Sequence, residues 1–277
     1  MFTMPIALQL VLGLALSALM GAIGYRRHSL SGSGVLGAVL VGTLVFGLGG
    51  LPWGALLVFF FFSSSALSHF KAARKAAVAE KFSKGSRRDL TQALANGGAG
   101  ALAAIGNVLW PHPLWWVAFA GTMATVNADT WATELGVLSR SAPRLITTGK
   151  PVEPGTSGGL TLPGTLAALG GAALIGLVAA GFDLAVGHSL VWAGALFLIT
   201  AVSGLTGSLV DSLLGAMVQA IYYCDACGKE TERHPLHSCG APTRQVRGWR
   251  WMNNDWVNFL SALAGAALAG VAWWLIR

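Results

Sequence analysis

The feature that most constrains this chain is the spacing of its charges. Eight apolar stretches can be drawn, at about 4–24, 34–51, 53–68, 91–109, 114–134, 159–181, 190–219 and 256–276. A segment of about 20 mostly apolar residues spans a bilayer as a helix, because hydrocarbon offers the backbone no hydrogen-bond partners. The Lys and Arg residues fall almost wholly in every second connection. Arg26 and Arg27 follow the first stretch, and seven basic residues from Lys71 to Arg88 follow the third. Arg140, Arg144 and Lys150 follow the fifth, and five from Lys229 to Arg250 follow the seventh. These are 17 of the 18 basic residues, and the last is the terminal Arg277. By the positive-inside rule the odd connections are cytoplasmic and both termini face outward.

The expected fold is therefore all-α, a polytopic membrane helix bundle of about eight transmembrane helices. Residues 1–277 form one transmembrane domain, with a basic cytoplasmic connection at 69–90 and a Cys/His connection at 220–255. Charged residues make up 10% of the chain and hydrophobic ones 54%, whereas soluble domains carry about 25% charged residues. The first apolar stretch precedes its arginines instead of following them. That is the reverse of a secretory signal, so a retained helix is expected. Trp53, Trp110, Trp115, Trp116, Trp192, Trp256, Trp273 and Trp274 sit near stretch ends, as interfacial belts do. The pairs Ala262/Ala266 and Gly265/Ala269 permit either a homodimer through the eighth helix or packing inside the bundle. Basic residues distributed by topology argue against nucleic acid as a partner.

Acidic residues mark the chemistry. Asp183 alone falls in an outer connection. Asp129, Glu134, Asp211 and Asp255 all lie at the inner ends of helices. Each costs about 2.5–3.5 kcal/mol on insertion scales unless it faces a cavity, a cation or a partner. Asn127, Thr130 and Glu134 share one helical stripe, with Asp129 beside it. Gly204, Gly207, Ser208 and Gly215 form a small-residue face around Asp211. Gly155, Thr156, Ser157 and Gly158, just before the sixth helix, suit either a phosphate cradle of free backbone N–H groups or an ordinary N-cap. Arg87 and Arg88 border a polar helix start and suit bidentate phosphate contacts. Lys71, Arg74, Lys75 and Lys81 lie on an amphipathic segment, with Ala72, Ala73, Ala76, Ala77 and Val78 opposite, that suits anionic lipid. Cys224, Cys227, His237 and Cys239 are spaced for structural Zn²⁺ or are free thiols, with His234 nearby.

Six stretches together resemble a known family: "RRDLTQALANGG" from Arg87, "NADTWATELG" from Asn127, "TTGKPVEPGTSGGLTLPGTLAALGGA" from Thr147, "GSLVDSLLGAMVQ" from Gly207, "CDACGKETERHPLHSCG" from Cys224 and "NNDWVNFL" from Asn253. They are similar to the prokaryotic and plastid integral membrane family that includes phytyl-phosphate kinase. The resemblance implies phosphoryl transfer from a nucleoside triphosphate, CTP being one candidate, to a prenyl phosphate lipid, giving a prenyl diphosphate.

That chemistry assigns expected roles. Asp129, Glu134 and Asp211, with Asp255 behind them, would hold Mg²⁺ through oxygen. Arg87, Arg88 and Lys150 would neutralise phosphates, and Gly155 to Gly158 would cradle one. Asn96, Asn127, Asn254 and Asn258 would orient phosphate or water. The active face would be cytoplasmic, on a cell inner membrane. The competing reading is a transporter or flippase of anionic isoprenoid or other phosphorylated lipids, which would place its polar site near the bilayer midplane.

Overall fold

The computed structural model describes residues 5–79, 81–85 and 87–277. Met4, at the expected start of the first helix, lies outside these residues. So do the side chains of Ala76, Ala77 and Val78. Eight long helices occupy the expected stretches: α1 (Ile6–Arg26), α2 (Gly32–Gly49), α3 (Leu51–His69), α5 (Leu90–Leu109), α6 (Pro113–Gly136), α7 (Leu162–Ala185), α8 (Leu190–Met217) and α9 (Asn254–Ile276). A short α4 (Ala72–Ala79) lies in the basic connection. Six of the long helices are apolar and long enough to cross a membrane. The other two are α5 and α6, whose ends carry Gln92, Asn96, Asp129 and Glu134.

Helix starts follow local chemistry. Ser31, Thr161, Ser189 and Asn253 each accept a hydrogen bond from a first-turn N–H. Asp89 and Gln92 form a reciprocal capping box on α5. Thr161 caps α7, so that helix begins at Leu162 and not at residue 159. Gly159–Leu160 instead forms strand β2, paired antiparallel with β1 (Arg144–Leu145). The Cys/His connection folds into a three-stranded sheet, β3 (Ile221–Cys224) between β4 (Lys229–Thr231) and β5 (Arg244–Arg247).

Helix α6 is the axis of the bundle. It contacts α3, α5, α7, α8 and α9, and every residue from Phe119 to Ala128 is buried. Its polarity is tolerable because protein, not lipid, surrounds it. Close approach to α9 depends on glycine. A Cβ on Gly121 would lie 2.6 Å from the Ala269 methyl and 2.7 Å from the Gly265 carbonyl, and one on Gly265 would collide with the Thr125 hydroxyl. The Gly265/Ala269 pair is therefore consumed inside the chain, which removes it as the face for a homodimer.

Two further expectations change. Trp53 stacks on Phe119 at 4.4 Å between ring centroids, and both are buried with Trp116 adjacent. That cluster is core, not belt. Asp183 lies in the last turn of α7, buried, and not in a connection. Its carboxylate accepts the indole N–H of Trp116 at 2.9 Å and of Trp192 at 2.6 Å, with His188 Nδ1 at 3.1 Å. It ties α6, α7 and α8 together at the end opposite the basic connections.

Asp183→Ala would orphan both indole donors, at a cost of about 1–3 kcal/mol. The expected result is a lower unfolding temperature in detergent, partly recovered by Asp183→Asn; an unchanged temperature would show that the tie is not structural. Gly265→Val should destabilise by about 1–3 kcal/mol through overpacking. Gly181→Ala, where nothing lies within 4 Å of the new methyl, should be neutral or slightly stabilising in the same measurement.

Candidate functional site

At the basic end, several parts of the chain converge on a cavity of about 270 Å³. Helix α6 contributes Asp129, Thr130, Thr133 and Glu134, and α8 contributes Ser208, Asp211 and Ser212. Helix α5 and the residues before it contribute Arg88, Gln92 and Asn96. Helix α9 brings Asn254, Asp255 and Asn258, and the turn before α7 brings Gly155 to Gly158. Thus Asp129, Glu134, Asp211, Asp255, Arg88, Asn96, Gly155, Thr156, Ser157, Gly158, Asn254 and Asn258 share one space.

The four acids are not equivalent. Asp129 has no hydrogen-bond or ion-pair partner among the described residues. Among the described residues Asp211 accepts only the Ser261 hydroxyl, at 2.9 Å. The two carboxylates are near enough for their like charges to repel. Glu134, by contrast, pairs with Lys75 at 2.5 Å and accepts the Ser68 hydroxyl. Asp255 pairs with Lys84 at 2.5 Å and accepts Thr91 Oγ1 at 2.8 Å. Lysines already neutralise Glu134 and Asp255, whereas Asp129 and Asp211 have no ion-pair partner among the described residues. Oxygen ligands of this kind suit Mg²⁺.

Lys75 is buried against Glu134 and the Leu67 carbonyl, so it does not rest on lipid. Lys81 also faces inward, pairing with Glu153 at 2.7 Å, and its ammonium lowers the pKa of the Glu153 carboxyl. Lys84 lines the cavity. Burial opposes its charge, but the hydrogen bonds and charges of Asp255 and Asp89 prevail and raise its pKa.

The turn from Pro154 to Gly159 is pinned onto the end of α8. Ser157 Oγ donates to Gln219 Oε1 at 2.6 Å. Gly158 has φ +84°, and a Cβ there would sit 2.5 Å from the Ala216 methyl. Only glycine meets both conditions. The backbone N–H groups of Gly155, Ser157 and Gly158 have no acceptor among the described residues. The turn is separated from the start of α7 by β2, so the helix dipole is not its source of positive potential.

Three expected residues lie elsewhere. Asn127 is fully buried, donating to the Gly171 carbonyl and accepting the Ser63 hydroxyl, both at 2.8 Å. It ties α6 to α7 and α3. Arg87 reaches the Leu30 carbonyl at 3.2 Å and lies over the Tyr25 ring, closing the α1–α2 corner. Lys150 is exposed on the β1–β2 hairpin, away from the cavity lining.

Glu232 was not anticipated. It lines the cavity from the Cys/His connection. It accepts Gln219 Nε2 at 2.8 Å and the Ser83 backbone N–H at 3.2 Å. Burial pushes its carboxyl above the ordinary range despite those donors. No periodicity marks such a residue, because its position depends on how the connection folds back. In that connection Cys224, Cys227, His237 and Cys239 bring their donor atoms within 4.8 Å of one another. His234 is apart, stacked on Tyr222.

An apolar crevice of about 390 Å³ adjoins the polar cavity. Leu16, Met20, Val41, Phe46, Val58 and Phe60 are among its walls, contributed by α1, α2 and α3. Arg88, Gln92 and Asn96 border both spaces. The Arg88 guanidinium sits between the Ser65 hydroxyl at 3.2 Å and the Phe60 ring, at the junction.

Comparison with known proteins agrees with this architecture. The chain is 36% identical over 287 aligned positions to Protein PGR of Arabidopsis thaliana, covering 95% of this chain and 96% of that protein. It is 31% identical to an uncharacterised membrane protein of Methanocaldococcus jannaschii, over 78% of this chain and 86% of the relative. It is 27% identical to the chloroplastic Protein VTE6 of Arabidopsis thaliana, over 87% of this chain and 64% of the relative. No solved structure matches the chain. The family described as integral membrane protein DUF92 matches residues 15–266, and the chain belongs to that family.

Proposed function

We propose that this protein is a prenyl monophosphate kinase, transferring a phosphoryl group from a nucleoside triphosphate to a prenyl phosphate of the phytyl type. One observation carries the reading: a polar cavity holding two acids, Asp129 and Asp211, with no cation partner among the described residues lies beside an apolar crevice, and Arg88, Gln92 and Asn96 border both. An amphiphile with an anionic head and a hydrocarbon tail fits that junction. The resemblance of the six motifs to the family that includes phytyl-phosphate kinase supports the same substrate class.

The roles follow from position. The tail lies among Leu16, Val41 and Phe60, and its phosphate meets the Arg88 guanidinium. Asn96 and Gln92 donate to the same phosphate. The nucleotide enters from the basic end, which is cytoplasmic by the positive-inside rule. The free N–H groups of Gly155, Ser157 and Gly158 receive its phosphate chain. Asp129 and Asp211 would hold Mg²⁺, which offsets the charge of the two anionic reactants. Lys84 adds a fixed positive charge at the rim.

A phosphate oxygen of the acceptor forms the new bond to the terminal phosphorus of the nucleotide, and the bond from that phosphorus to the bridging oxygen breaks. The products are a prenyl diphosphate and a nucleoside diphosphate. The acceptor oxygen is already ionised, so no strong base is needed. The work of the site is alignment and charge compensation.

Purified protein would be incubated in detergent with phytyl, farnesyl or geranylgeranyl phosphate and each nucleoside triphosphate, with and without Mg²⁺. Diphosphate formation dependent on Mg²⁺ is expected. Asp129→Asn and Asp211→Asn should each lower kcat by about 100-fold or more, on the scale of a lost transition-state electrostatic contact; near-normal turnover in both would reject the metal assignment. Nucleotide-independent lipid flux in vesicles, without diphosphate, would favour a transporter.

The crevice makes its own prediction. Ala38→Trp places an indole on its wall. The KM for phytyl phosphate should rise by about tenfold, with kcat and the nucleotide KM little changed, because a uniform binding contact is lost. An unchanged phytyl phosphate KM would place the tail elsewhere.

A further inference from the structure

We propose that Cys224, Cys227, His237 and Cys239 bind one zinc ion, and that this ion fixes the rim of the cavity through Glu232. The donors come from two tight turns facing each other. Cys224 ends β3, and Gly228, at φ +65°, turns the chain just after Cys227, its N–H bonded to the Cys224 carbonyl at 2.9 Å. The second turn closes with the Gly240 N–H on the His237 carbonyl at 2.9 Å. Cys224 Sγ lies 3.6 Å from Cys239 Sγ, and His237 Nδ1 lies 3.3 Å from the same sulfur. Around tetrahedral zinc, bonds of about 2.3 Å to sulfur and 2.0 Å to nitrogen place such donors roughly 3.5–3.8 Å apart. The cluster needs little adjustment to take the ion. Four protein donors leave no open position, so the ion is structural.

The surrounding module supplies a second reason. Its strands span four, three and four residues. Its buried apolar side chains are few, chiefly Ile221, Tyr222 and Met252. A unit with so small a core is held by a metal or another staple. Cys227 and Cys239 are exposed, which as unligated thiols would leave them open to reagents.

The consequence reaches the cavity through a short chain of contacts. Glu232 lies between the two turns. Its backbone N–H donates to the Lys81 carbonyl at 2.8 Å, and its carboxylate accepts from Gln219 and Ser83. Gln219 in turn accepts from Ser157 in the glycine turn. Loss of the ion therefore loosens both the 81–83 segment and the 155–158 turn, while leaving the helical bundle in place.

The test uses full-length protein in detergent, stripped with a chelator, then given zinc alone and desalted. About one zinc per chain should be retained, and Cys227 and Cys239 should resist maleimide until chelator is added again. Hydrogen exchange of peptides covering 81–83 and 155–158 should slow on zinc addition, with peptides from α6 unchanged. The Cys224→Ser/Cys239→Ser variant should retain less than about a tenth of the zinc, and its intact bundle is checked by the same α6 peptides. Thiols that react at full rate with zinc present overturn the site. Protected thiols with unchanged exchange at 81–83 and 155–158 overturn the link to the cavity.

Discussion

A carboxylate inside a membrane bundle costs at least about 2.5 kcal/mol unless something compensates it. This fold places two, Asp129 on α6 and Asp211 on α8, within repulsive reach and without an ion-pair partner among the described residues. The other acids of the same cavity show how easily the chain could have compensated them. Glu134 holds Lys75 and Asp255 holds Lys84. The proposed cation, and with it an anionic substrate, would complete a site whose central pair has no cationic partner among the described residues.

That pair can exist because of how α6 is housed. Glycine contacts bring α9 against it, and Asn127 locks it to α7 and α3 through the Gly171 carbonyl and Ser63. At the opposite end Asp183 spends its charge on two indoles and a histidine. One acid thus serves as a structural tie and two have no ion pair among the described residues, and the difference lies in what surrounds each.

Much of this was legible in the chain. The alternation of basic connections located all eight long helices within a few residues, because the bilayer penalises charge everywhere else. The cost of burial likewise singles out Asp129, Glu134, Asp211 and Asp255, but not which of them a lysine already pairs with. Helical spacing does not say how far along α6 the cavity reaches: Thr130 and Glu134, on the stripe of Asn127, line it, but Asn127 lies deeper and is tied to Gly171 and Ser63. Pairings across long separations were invisible. Lys75 meets Glu134 59 residues away, and Lys84 meets Asp255 171 residues away. Glu232 was hidden for the same reason, since only the folded Cys/His connection brings it to Ser83 and Gln219. Lys150 looked suitable by its neighbours in sequence, but the β1–β2 hairpin turns it to solvent.

The central claim is that Asp129 and Asp211 together form a divalent-cation site in the polar cavity. Titration of purified protein with Mn²⁺ as a paramagnetic stand-in for Mg²⁺, in the presence of a nonhydrolysable nucleotide, addresses it directly. The account predicts saturable Mn²⁺ binding that weakens by at least about tenfold in Asp129→Asn and in Asp211→Asn, as expected when a carboxylate ligand is lost. Equal Mn²⁺ affinity in the wild-type protein and both variants would contradict it.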